Sequence, residues 1–145
     1  MIKLVNVYGY AGSFVALWEL MLERIEDPDI NISHREMPTW ADHEAFCVSL
    51  PYFAWYLIKD DDGSNSDESI VGAVYLTKQN EIGISIFSKY CGNGFGQEAI
   101  KQIIAKHPRS RYLANINPKN SISIKLFKKQ GFELLQQTYE LRREI

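Results

Sequence analysis

The chain has 145 residues, 46% of them hydrophobic and 23% charged, with a formal net charge of -2. That length suits one domain, residues 1–145, able to bury roughly two-thirds of its unfolded surface without a metal or a disulfide. The near-neutral, slightly acidic balance argues against a general nucleic-acid binder, while leaving room for a local basic pocket that takes a phosphorylated ligand. Two cysteines, Cys47 and Cys91, stand in no metal-ligand spacing and read as reduced thiols. Met1–Val7 lacks a signal-like apolar stretch, and no window approaches the ~20 apolar residues of a membrane span. These features predict a cytoplasmic protein that engages neither membrane nor nucleic acid, as a monomer or a homodimer.

Ile2–Val7 reads as a short strand. Phe14, Leu17, Trp18, Met21, Leu22 and Ile25 recur at three and four residues, one face of a helix with Ser13 at its N-cap. Asp27-Pro28 ends it, because proline disfavours helical geometry in the residue before it. Asn31–Pro38 is a polar connector. Thr39-Trp40-Ala41-Asp42 resembles a capping box and opens a short helix to about Ser49, which Pro51 breaks. Phe53–Ile58 is a strand, and the acidic, Ser/Gly-rich run Asp60–Ser69 is a solvated hairpin loop.

Ile70–Leu76 and Glu81–Phe87 are strands joined by a tight turn at Lys78-Gln79-Asn80. The glycine-rich stretch Cys91–Gly96 leads into a helix with Phe95, Ala99, Ile100, Ile103 and Ile104 on one face, stopping at His107-Pro108. Tyr112–Ile116 is a strand. Asn120 caps a helix from Ser121 to Gln130, Gly131 fits a left-handed position at its end, and Phe132–Leu141 is a final strand. Antiparallel hairpins followed by βαβ-like crossings predict a mixed α/β sheet.

Chemistry concentrates in Glu81–Gln97. A strand enters a loop carrying Gly92, Gly94 and Gly96, and the loop opens a helix. Glycines clear side chains from the backbone, and the first helical turn offers free N–H groups at the positive end of its dipole. The combination suits a phosphate or pyrophosphate. A dinucleotide fold needs GxGxxG near the start of its sheet with an acidic residue downstream, and a P-loop needs GxxxxGK[ST]. Neither pattern is present. The remaining readings are an acetyltransferase pyrophosphate cradle and a plain tight strand–helix turn.

Two signatures at this separation resemble the GNAT superfamily of N-acetyltransferases. Cys91-Gly92-Asn93-Gly94-Phe95-Gly96 matches the family's cofactor loop. Asn120 followed by a helix ending Phe127-Lys128-Lys129-Gln130-Gly131-Phe132 matches the second. The resemblance implies a mostly antiparallel, twisted sheet, splayed at a V-shaped cofactor cleft and flanked by about four helices. It implies acetyl-CoA as the acetyl donor. The donor's amides would pair with backbone near Ile84, Ile86 and Phe87, with an N–H near Ile86 or Phe87 polarising the thioester. Its pyrophosphate would lie on Gly92, Asn93, Gly94, Phe95, Gly96 and Gln97, and Asn120 would hold its arm. A primary amine would attack directly, with no acyl-enzyme. Cys91 replaces the usual Arg or Gln, and Phe127 stands where many members place a proton-donating tyrosine.

An ammonium must lose a proton before it attacks. Glu81, opening the cleft strand, is the first candidate base, and Tyr139 is a weaker candidate acid. Glu36, His34 and His43 lie on the acceptor side that the resemblance implies. Trp40, Tyr52, Phe53, Trp55 and Tyr56 offer rings for a sugar or a base, with core packing as the alternative. The expected acceptor is a small-molecule amine such as an amino sugar, with a peptide N-terminus or lysine second. A CoA-binding module without turnover is the rival.

Overall fold

The computed structural model describes residues 1–29, 36–61 and 69–145. Four strands, β1 (Ile2–Asn6), β2 (Ala54–Asp60), β3 (Ser69–Leu76) and β4 (Ile82–Ile86), form one sheet in the order β1-β2-β3-β4, antiparallel throughout. The β3–β4 hairpin closes where the sequence predicts, with Asn80 in the left-handed region that a tight turn requires (φ 65°).

Four helices flank the sheet: α1 (Ser13–Glu26), α2 (Trp40–Val48), α3 (Phe95–Lys106) and α4 (Ser121–Lys129). Because side chains alternate across a strand, the sheet builds two cores. Leu4, Ile58, Val74 and Ile82 meet Ile100 and Ile103 of α3 and Phe127 of α4 on one face. Trp55, Leu57 and Ala73 meet Ala16, Leu17 and Leu20 of α1 and Cys47 of α2 on the other.

Local signals hold at most boundaries. Thr39 Oγ1 accepts from the Asp42 amide at 3.1 Å, and Asn120 Oδ1 accepts from the Ser123 amide at 3.1 Å, capping α2 and α4. Gly131 takes φ 96° after α4. Ser13 is not the cap of α1. Gly12 holds that place at φ 83°, and Ser13 is buried with its hydroxyl donated to the Tyr10 carbonyl.

Two expected strands change character. Tyr112–Ile116 contributes a single parallel bridge, Leu113 to Glu81, where Leu113 N–H donates to Asn80 C=O and Ile82 N–H donates to Leu113 C=O. Beyond it the two backbones part. Phe132–Leu141 joins no strand among the described residues. The connector and the acidic loop fall largely outside the described residues.

Candidate active site

β4 ends the sheet, so one of its edges is free past the Glu81–Leu113 bridge. The Phe87 N–H points the other way, donating to Val71 C=O at 2.9 Å. Ile82 N–H points to Leu113, so strand alternation turns the N–H groups of Ile84 and Ile86 toward the open side. Of the two amides expected near the thioester, the one on Phe87 is therefore already engaged. The open side is the V-shaped cleft that the sequence led us to expect.

Below this edge lies the start of α3. Gly94 is its N-cap at φ 79°, with no side-chain cap, and the first intrahelical bond runs from the Glu98 N–H to the Gly94 carbonyl. The N–H groups of Phe95, Gly96 and Gln97 thus lie in the uncapped turn. Gly92 takes φ 85°, and a Cβ on either Gly92 or Gly94 would project into open space. Gly96 does different work: a Cβ there would press on Leu126 of α4 at 3.0 Å. Asn93 Nδ2 donates to Tyr90 C=O and holds the loop's shape. An uncapped helix start, a loop clear of side chains and a free strand edge fit a donor that carries both a diphosphate and an amide arm.

On the opposite face of β4, a pocket of about 110 Å³ opens between α1, α2 and the sheet. Gly83, Ile84 and Ser85 of β4 form its floor, with Tyr52, Trp55 and Tyr75 beside them. The Tyr52 and Tyr75 rings stack at 3.9 Å between centroids, 4° from parallel. Tyr75 lies across Gly83, where any side chain would overlap its ring. Burial pushes both phenols above their usual pKa; Tyr75 raises Tyr52 further, whereas the hydrogen bond between them pulls Tyr75 back down. Arg24 of α1 donates to Ser85 Oγ at 3.1 Å, and Glu23 accepts from the Ser88 hydroxyl at 2.7 Å. These bonds fix the end of α1 over the end of β4.

The expected site residues divide sharply. His43 and Trp55 line the pocket. His43 is 3% exposed, its Nε2 paired with the Phe14 carbonyl at 2.8 Å and its Nδ1 left without a partner. Donation from Nε2–H fixes the tautomer in which Nδ1 carries the lone pair. Glu81 does not line the pocket: its carboxylate accepts from Thr77 Oγ1 and from Asn115 Nδ2. Glu36 is exposed and outside the lining, and His34 lies outside the described residues. Of the other aromatics, Trp40 flanks His43, whereas Phe53 and Tyr56 sit beside His107.

Packing locates three more of these residues. Tyr139 is 87% exposed, and its hydroxyl donates to Gln137 Oε1. Asn120 spends its side-chain oxygen on the α4 cap, leaving only its Nδ2 for a ligand. Phe127 is buried in the core against Phe132, with ring centroids 5.0 Å apart. Sequence reasoning missed Arg24, Tyr75 and Ser85. Each sits in an amphipathic or alternating element that reads as ordinary helix or strand, and only the meeting of α1 with β4 gives them a common place.

A family model described as an acetyltransferase (GNAT) domain matches residues 17–133. The chain belongs to the GNAT acetyltransferase family. No curated protein is matched by the sequence. Among solved structures, a GNAT-like fold recurs in a domain from Methanocaldococcus jannaschii DSM 2661, with a TM-score of 0.79 and 21% identity over 97% of this chain and 93% of that one. A GNAT superfamily phosphinothricin acetyltransferase from Sinorhizobium meliloti, solved in complex with acetyl-CoA, gives a TM-score of 0.69 at 15% identity over 94% and 76%. A ribosomal-protein-alanine N-acetyltransferase from Brucella melitensis gives 0.66 at 18% identity over 92% and 84%. Acetyl-CoA is the acetyl donor of GNAT enzymes, and the free β4 edge and uncapped α3 start are the features of this chain that fit it. Among the described residues no helix is long and apolar enough to cross a membrane, and no cluster of side chains is arranged for a metal ion.

Proposed function

We propose that this GNAT domain transfers the acetyl group of acetyl-CoA to a primary amine of a small molecule held in the pocket beneath α1. The observation that carries the reading is the double use of Gly83–Ser85. Their outer edge faces the cleft, and their lower face floors the pocket. A donor on the edge and an acceptor in the pocket would meet across a single strand, which is the proximity that direct transfer needs.

The Ile84 or Ile86 N–H would donate to the thioester carbonyl and hold the charge that develops on its oxygen, an interaction commonly worth about 3–4 kcal/mol. The Gly92–Gln97 amides would hold the diphosphate, and Asn120 Nδ2 is free to reach the donor's arm. The departing thiolate has the basicity of an ordinary thiol, with a pKa of about 8.5, so solvent can protonate it and neither Phe127 nor Tyr139 need supply a proton. His43 is better placed than Glu81 to take the amine's proton, because the residue lines the pocket and its buried Nδ1 is unpartnered. Glu81 is held by its two hydrogen bonds and would act, if it acts, through solvent.

Thiol release from acetyl-CoA on an amine panel tests the reading, with CoA affinity measured beside it. Release with at least one small amine is expected. His43→Gln should slow it most at neutral pH and recover as pH rises and free amine accumulates; Glu81→Gln should leave that pH profile in place. CoA binding without release on any amine would instead identify a binding module. Release only on peptides would move the acceptor to protein.

A further inference from the structure

The pocket beneath α1 is largely apolar, and among its described lining residues there is no carboxylate and one permanent cation, Arg24. Arg24 is half-buried, and its guanidinium donates to one neutral partner, Ser85 Oγ. A guanidinium carries five N–H donors in a fixed fork, and no ion pair to Arg24 occurs among the described residues. A charge held against apolar walls with a single neutral acceptor is poorly compensated for the water it has lost. Tyr52 and Tyr75, pushed up by burial, both feel its field as a counteracting pull.

We propose that the acceptor is an amine bearing a carboxylate or equivalent acid close to its nitrogen, and that Arg24 binds this anion. The proposal rests on the acetyl transfer set out above and narrows its substrate. Ser85 is the immediate neighbour of Ile84 and Ile86, so an anion on Arg24 would lie beside the strand edge where the acetyl group is expected. An amine a few bonds from that anion would then be within reach of the thioester. A polycationic acceptor would meet a like charge with no carboxylate in the described lining to offset it.

Matched sets test it: phenylalanine, phenylalaninamide and phenethylamine, with the same trio built on methionine, each assayed by thiol release. The acids should exceed their amides and decarboxylated forms in kcat/KM by about tenfold or more, the scale of a charge-assisted pair. Arg24→Gln should bring the ratio near one, and Arg24→Lys should restore part of it. The ratio is taken within each variant, so loss of folded protein cancels. Turnover without acid preference, or preference surviving Arg24→Gln, overturns this inference alone. No release with any amine overturns the transfer and this inference together.

Discussion

Gly83 shows how one missing side chain shapes the pocket. It reads in the sequence as a weak point in a strand, since glycine there adds entropy cost and packs nothing. The structure gives it a task, for Tyr75 crosses it and stacks on Tyr52. Gly83→Ala should displace the Tyr75 ring, break the stack and fill the pocket floor. Overpacking of this kind costs about 1–3 kcal/mol, which denaturant titration would read. The acceptor KM should rise while CoA affinity stays unchanged, because the cleft lies on the strand's edge and not on this face. Cys47 and Cys91 separate as clearly. Cys47 is fully buried, its thiol pushed up to about 11 by burial and by Glu44. Cys91 is exposed in the glycine-rich loop, so alkylation should label it alone.

The strand–loop–helix unit from β4 to α3 was legible as an element. Three glycines before an amphipathic helix are a local signal, and local backbone geometry delivers it: Gly92 and Gly94 take left-handed angles that other residues resist. Gly94→Glu should abolish CoA binding, since it adds strain and a negative charge at the uncapped turn. Calorimetry with CoA checks this, and the melting temperature should fall only modestly, because nothing lies within 4 Å of that Cβ. CoA should also slow alkylation of Cys91 in the parent protein and not in this variant. The acceptor side was less legible. His43 and Trp55 were named from an aromatic-rich run, but Glu36 was named beside them and is exposed. A residue list along one helix or loop does not say which members a neighbouring element will cover.

At the scale of the molecule, the two cores on either side of the sheet carry the stability. Ile100 is fully buried between α3 and the sheet. Ile100→Ala should cost about 2–5 kcal/mol, measurable by denaturant unfolding, with the pocket on the opposite face retaining its acid-to-amide ratio. Past Phe132, which packs on Phe127, the last segment contributes to neither core. Its strand-like composition was read as a sheet strand, yet no edge within the described residues receives it. Composition specifies that a segment favours extended backbone, and it does not specify which edge completes the pairing.

The sequence alone determined most of the elements: helix periodicity, caps at Thr39 and Asn120, the hairpin at Asn80, and the glycine run before α3. These depend on interactions within a few residues, so nearby residues suffice to write them. The tertiary structure decided everything that needs two distant segments. It set Arg24 against Ser85 and Tyr75 across Gly83, left His43 Nδ1 alone beside the pocket, tied Glu81 to Asn115, and put Tyr139 in solvent. Those outcomes follow from how α1 crosses β4 and where Leu113 leaves the sheet, and long-range packing of that kind has no period or spacing in the chain to announce it.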